Sequence, residues 1–287
     1  MRDLWRMKGQ AIAIGMVIAL GVAMLVMMTG LVTSLNETRT TYYERYRLAD
    51  VFIPVTRAPE RMAERLAAIE DVGTVETRVK GTALIDLAHQ DLPVQAQALS
   101  LPDLRSPQLN DVFLTAGRVI DANHTDEILL LQSFAKAHGL RPGDRLSATM
   151  NGARRSFQIV GLAQSPEFLY TTAPGEMIPD DARFGVIWMS RSAMAAAYDM
   201  DGAFNEALLS LVRPTNPAAA IAAADRILAP FGGTGAYGLA DHTSDRFISD
   251  EIGGLQAAAA GVPPIFLAVA AFLLYTVINR MVQSERE

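Results

Sequence analysis

Hydropathy along the chain is sharply partitioned. Ala11–Val32 (AIAIGMVIALGVAMLVMMTGLV) and Val262–Asn279 (VPPIFLAVAAFLLYTVIN) carry no charged residue, and mostly polar sequence fills residues 33–261 between them. Eighteen or more nearly uncharged residues are enough to cross a hydrocarbon core about 30 Å thick. As a helix, the first run would extend roughly 33 Å at 1.5 Å per residue. The pattern predicts two transmembrane helices, 11–32 and 262–279, bracketing a folded domain.

Inside the bracket, the periodicities predict a mixed α and β domain. Leu35–Asp50 continues the first span as a polar helix, with Tyr42, Tyr43 and Tyr46 at the depth where interfacial tyrosines anchor a span. Ala49–Val55 reads as a strand. Pro59–Ile69 reads as an amphipathic helix, with proline in its first turn and Met62, Leu66 and Ile69 on one face. Val72–Val79, Thr82–Ala88 and Pro93–Leu101 read as a strand meander, turning near Gly81 and Asp91. Prolines 102 and 107 mark a crossing into a β-rich insert over about 102–185. Within it, Asp126–Leu140 gives a strand and a short helix ended by Gly139, and Asn151-Gly152 signals a hairpin. Ser165–Gly185 is a long loop. Beyond it come a strand (Phe184–Ser190), a helix (Arg191–Tyr198), a strand (Glu206–Pro214) and a helix (Pro217–Phe231). The last pair echoes the strand and helix of Ala49–Ile69, so two such units would share one sheet that the insert interrupts. His242–Ala260 reads as a second polar helix leading to Pro263-Pro264, a pair that either starts or kinks the second span.

Charge then sets the orientation. Arg2, Arg6 and Lys8 precede the first span against Asp3 alone, and Arg280 and Arg286 follow the second. Short basic flanks stay in the cytoplasm. This predicts a cytoplasmic N-terminus (1–10), a stalk helix (33–48), an extracytoplasmic α+β domain (49–241), a second stalk (242–261) and a cytoplasmic end (280–287). A cleaved signal peptide also starts basic and apolar, but its core is about 7–15 residues long and ends in a small-residue cleavage motif. The run here is longer and passes into Thr33-Ser34-Leu35 without one. The net charge of −6 and the lack of a basic stripe exclude nucleic acid as an expected partner. With no cysteine in the chain, there is no disulfide framework and no cysteine-based site.

Catalytic and metal signatures are missing. The sequence contains no G-x-x-x-x-G-K-[ST] loop, no H-E-x-x-H and no G-x-S-x-G elbow. His89, His124, His138 and His242 are dispersed, and Gly232–Gly238 (GGTGAYG) reads as a turn. Asp180-Asp181 and the pair Asp199 and Asp201 lie in turn-like sequence, where solvated aspartates are ordinary. The expectation is no enzyme, no cofactor and no metal site.

The order of parts resembles ABC-transporter permeases of the FtsX-like/MacB/LolC/LolE superfamily. The resemblance rests on Met7–Met24 (MKGQAIAIGMVIALGVAM), on Ile128–Phe168 with its GLRPGDRL, Asn-Gly and IVG sequences, and on Val262–Glu287. It implies a bacterial inner-membrane protein. Its two transmembrane helices would flank a MacB-type periplasmic core domain, an α/β subdomain carrying a β-rich insert. Implied partners are a separate ABC-type ATPase, further permease spans or a second permease copy, a periplasmic adaptor or substrate protein, and membrane lipid. Such permeases continue past the second span, so the chain resembles their N-terminal portion. The implied function is to couple ATP hydrolysis elsewhere to movement outside the membrane, for export or extraction of a hydrophobic substrate. The two polar helices would act as rigid stalks. A two-span sensor with an extracytoplasmic ligand-binding domain is the alternative. Candidate contact residues for substrate or partner are Phe168, Leu169, Tyr170, Met177 and Ile178 in the long loop, which could equally fold back onto the domain.

Overall fold

A computed structural model describes residues 8–284 apart from 88–92, 173–179 and 214–215. The chain divides into two units, one made of the residues up to Thr41 and from Ile248 onward, the other of Tyr42–Phe247.

The first unit is built from two long helices, α1 (Lys8–Arg45) and the last helix, α6 (Thr243–Ser284). Their apolar stretches have mean hydropathies of 2.5 and 2.2 and are long enough to cross a membrane. Gly21 allows them to approach closely: a Cβ there would lie 3.1 Å from Leu267 Cδ2. Below this contact, Arg39 Nη1 donates to Ser249 Oγ at 2.8 Å. Ile12, Met16, Met27, Phe272 and Tyr275 are exposed. The Pro263-Pro264 pair lies inside α6, so it neither starts nor ends the helix. The polar stretch after Val32 belongs to α1 itself and stops at Arg45. Arg47 then takes the left-handed position (φ 51°), while Leu48 N donates to Tyr43 O and Arg47 N to Glu44 O. That hydrogen-bond pattern is a Schellman ending, here without the usual glycine.

The second unit carries two sheets. In the first, the order is β11-β1-β10-β2, all antiparallel, from β1 (Val51–Pro59), β2 (Val72–Arg78), β10 (Ala203–Leu211) and β11 (Tyr237–Gly238). Helices α2 (Met62–Ala67) and α5 (Ala218–Leu228) cover one face, burying Val51, Ile53, Leu66, Leu209, Ala224 and Leu228. The strand–helix echo in the sequence is thus a shared sheet. The other face buries Phe52 and Leu208 against Leu48, Ala49 and Leu109, and also bears Arg78 and Glu206.

The second sheet closes on itself. Its strands are β3 (Lys80–Asp86), β4 (Val94–Leu101), β5 (Phe113–Gly117), β6 (Glu127–Leu131), β7 (Arg145–Met150), β8 (Ala153–Gln164) and β9 (Phe184–Ser190), in the order β5-β8-β6-β9-β4-β3-β7. The first half of the long β8 pairs with β7 and the second half with β6, which closes six strands into a barrel and leaves β5 outside on β8. Two short helices, α3 (Gln132–His138) and α4 (Arg191–Tyr198), follow β6 and β9. Trp188, Phe134, Phe157 and Ile187 fill the interior.

Asn151 and Gly152 join β7 to β8 with φ of 47° and 76°, the paired positive values a two-residue hairpin needs. The barrel also recruits β3 and β4, which the sequence pattern places in a meander before the insert. They join it because β4 pairs in parallel with β9, Gln95 opposite Phe184 through Leu101 opposite Ser190. The β-rich part therefore starts at Lys80 rather than near 102.

Candidate functional site

On the face of the first sheet away from α2 and α5, Arg78 of β2 lies directly across from Glu206 of β10. Directly opposed residues of an antiparallel pair project from the same face, and here both are buried. Arg78 Nε donates to Glu206 Oε2 at 2.5 Å. Its two terminal nitrogens donate to both oxygens of Glu167 at 2.7 and 2.6 Å, a bidentate fork. Lys80 Nζ donates to the remaining oxygen of Glu206 at 3.0 Å. Two cations meet two carboxylates, and every carboxylate oxygen has a donor. Burial alone would raise Glu206, but Arg78 and Lys80 outweigh it and hold the carboxyl at about 2. Glu167 is likewise held low, by Arg78 against its own burial.

Glu167 reaches this point from the barrel side. It sits in a short 3-10 turn, Pro166–Phe168, at the start of the long loop after β8, where Ser165 Oγ accepts from Glu167 N at 3.4 Å. His242, just ahead of α6, packs its ring 4.6 Å from that of Phe52, and Phe52 stacks on Tyr237 at 5.4 Å. Burial pushes His242 below its usual value, with Glu167, Lys80, Arg78 and Glu206 all acting on it. Tyr237 is pushed up by burial and by the two carboxylates. Fully engaged carboxylates with depressed pKa values are unsuited to general-base work near neutral pH. The cluster is therefore a clasp joining the sheet to the loop.

Three of the five loop residues singled out from sequence are described. Phe168 is half-buried against the barrel, its ring 6.0 Å from Trp188. Leu169 is 45% exposed. Tyr170 turns toward α6: its N–H donates to Ser244 Oγ at 3.1 Å and its ring stacks on Phe247 at 6.0 Å. Met177 and Ile178 lie outside the described residues, as does His89.

The other sequence candidates have local structural roles. Asp199 takes the left-handed position ending α4, and Asp180 Oδ1 accepts from Ala182 N at 2.9 Å. His138 lies in the last turn of α3, its Nε2 2.8 Å from Ala182 O. Gly232 O accepts from Thr56 N within the turn that leads to β11. Among the described residues, no three His, Asp or Glu side chains are grouped to hold a metal ion.

A cleft of about 510 Å³ lies between the sheet and the barrel, lined in part by Glu60, Glu76, Leu104, Arg105 and Arg191. Its charges pair across it. Arg105 forks onto Glu76 at 2.7 and 2.8 Å, and Arg191 meets Glu60 and the carbonyl of Ala203. Sequence reasoning missed these pairs and the Arg78 cluster, because the partners are far apart in the chain. The only local signal is charge at strand positions, Glu76 and Arg78 in β2 and Glu206 in β10.

A family profile described as a MacB-like periplasmic core domain matches residues 16–229. Among solved structures, the extracellular domain of the noncanonic ABC-type transporter YknZ from Gram-positive bacteria is similar at 9% identity and a TM-score of 0.42, over 67% of this chain and 98% of that one. The periplasmic region of MacB from Actinobacillus actinomycetemcomitans is similar at 10% identity and a TM-score of 0.41, over 73% and 95%. A domain of a putative permease protein from Porphyromonas gingivalis gives 13% identity and a TM-score of 0.35, over 71% and 96%. No curated protein matches the chain.

Proposed function

The chain belongs to the MacB-like periplasmic core domain family, and from that premise we propose that it is the extracytoplasmic arm of an ABC transporter permease. In this reading, a separate ATPase drives movement of the arm to export or extract a hydrophobic substrate. Residues 11–32 and 262–279 cross the inner membrane, and the domain between them lies outside with both chain ends cytoplasmic. The observation that carries the reading is a domain of this family with a membrane-length apolar helix at each end. The helices α1 and α6 serve as stalks, since rigid elements transmit rigid-body motion. The segment after β8 offers the contact surface, with Phe168, Leu169, Tyr170, Met177 and Ile178 as its candidate residues and Leu169 exposed. All four oxygens of Glu167 and Glu206 are engaged, which favours a mechanical role for the buried cluster over a chemical one.

The test is to purify the complete protein from its own membrane in mild detergent and assay for a nucleotide-binding subunit and ATP hydrolysis. The reading expects a stoichiometric ATPase whose turnover changes when Leu169 is replaced by a charged residue. Recovery of the intact protein with no nucleotide-binding subunit would overturn it.

A further inference from the structure

The Arg78 cluster ties the sheet to the turn after β8, and Tyr170, just beyond that turn, ties it to the start of α6. We propose that Arg78 is the positioning residue of a latch that makes residues 165–170 and the first turn of α6 move as one body with the sheet. The contacts form a short, continuous path. Glu206 holds the Arg78 guanidinium on the sheet, and the guanidinium forks onto Glu167. Three residues along, Tyr170 is fixed to α6 by its hydrogen bond to the buried Ser244 and by stacking on Phe247. On the other side, His242 leads into α6 while its ring rests on Phe52 of the sheet. Leu169 sits between the two anchors and is exposed. A load on Leu169 is therefore delivered to Glu167 and to Ser244 together.

Burial of the charges makes the link a discrete one. Glu167 and Arg78 have side-chain exposures of 3% and 7%, so neither can leave the other without stranding a charge away from water. Such a contact is either made or broken, which is what a switching element requires. Its use in transport rests on the permease reading. The coupling itself is read out on this chain alone, so failure of one is distinguishable from failure of the other.

The absence of cysteine in the chain makes site-directed spin labelling straightforward. Two labelled pairs are prepared in the full-length protein in detergent: Leu169→Cys with Arg57→Cys, and Arg246→Cys with Arg57→Cys. Distances are measured by pulsed electron resonance. Both pairs should give a single narrow peak. Glu167→Gln should abolish the narrow peak in both pairs together. Glu206→Gln, which keeps the Arg78–Glu167 fork, should leave both peaks narrow. Broadening of the Leu169 pair alone, or of neither pair, in Glu167→Gln overturns the proposal, as does equal broadening in Glu206→Gln. If Glu167→Gln does not fold, Ser244→Ala carries the test, since it removes the hydrogen bond from Tyr170 N–H without stranding a charge. The Arg246 pair should then lose its narrow peak, and an unchanged peak overturns the proposal.

Discussion

Arg78 and Glu206 stand directly opposite each other on adjacent strands of an antiparallel sheet, both buried, with Arg78 Nε 2.5 Å from Glu206 Oε2. An ion pair placed this way sits on the sheet face opposite the two covering helices, and it is completed by Glu167 from the barrel. The sheet and the barrel are held together here by charge rather than by apolar packing alone. Several measurable consequences follow from that arrangement.

Removing one member of the cluster should cost much more than removing all of them. Arg78→Met leaves two buried carboxylates facing one another and is expected to destabilise Tyr42–Phe247 by about 3–5 kcal/mol. The triple change Arg78→Met, Glu167→Gln, Glu206→Gln takes the buried charges away together and should recover most of that loss. Arg78→Lys keeps the charge but not the fork, and should fall between. Urea unfolding followed by the emission of the buried Trp188 measures all three. A triple variant no more stable than Arg78→Met would contradict the account.

The pH dependence has a definite sign. Glu206 is held at about 2 and Glu167 below the usual 4.5, so their folded values lie under their unfolded ones. Stability from these carboxylates is complete above pH 4.5 and is lost as the pH falls through the folded values. His242 is also depressed, so its contribution is full above its usual 6.5 and declines below it. The groups around it are Arg78, Lys80, Glu167 and Glu206. The urea midpoint should decline first below pH 6.5, then more steeply below 4.5. His242→Phe should remove the first decline and leave the second.

Much of this architecture is legible in the sequence, and what is not has a physical cause. The two spans follow from uncharged length, the β7–β8 hairpin from Asn151-Gly152, and the end of α3 from Gly139, which adopts φ 68°. Each of these depends on neighbours in the chain. Barrel closure depends on β4 pairing in parallel with β9, residues such as Gln95 and Phe184 that nothing local connects. The clasp is hidden for the same reason. Arg78 and Glu206 read as solvated charges on strands, and Glu167 as a loop residue, until the fold buries all three together. In the loop, Phe168, Leu169 and Tyr170 are consecutive yet point into three environments, which no hydropathy pattern resolves.

Gly117 should not tolerate a side chain. Its φ is 79°, and a Cβ there would lie 2.3 Å from the carbonyl oxygen of Val160 on β8. Gly117→Ala is expected to cost about 1–3 kcal/mol from backbone strain, with further loss from displacing β5. Hydrogen exchange should show the β5 amides losing protection while those of β4 and β9 keep theirs. Unchanged protection in β5 would contradict the close approach.

Leu169 and Phe168 should separate function from stability. Leu169→Asp changes an exposed residue and should shift stability by no more than about 0.5 kcal/mol. Under the proposed function, it should change ATP hydrolysis by the associated ATPase. Phe168→Ala removes a ring packed near Trp188 and should lower the thermal midpoint clearly. If Leu169→Asp leaves transport and ATP hydrolysis unchanged, the loop is not the contact surface.

The central claim is that a domain of this family is carried outside the membrane between two spans. Because the chain has no cysteine, single cysteines placed at Ala153 on β8 and at Gly9 in α1 report the two sides of the membrane without background. Intact cells are treated with a thiol reagent that does not cross the inner membrane. The account predicts labelling of Ala153→Cys at once and of Gly9→Cys only after permeabilisation. Labelling of Gly9→Cys in intact cells, or protection of Ala153→Cys until permeabilisation, would contradict it.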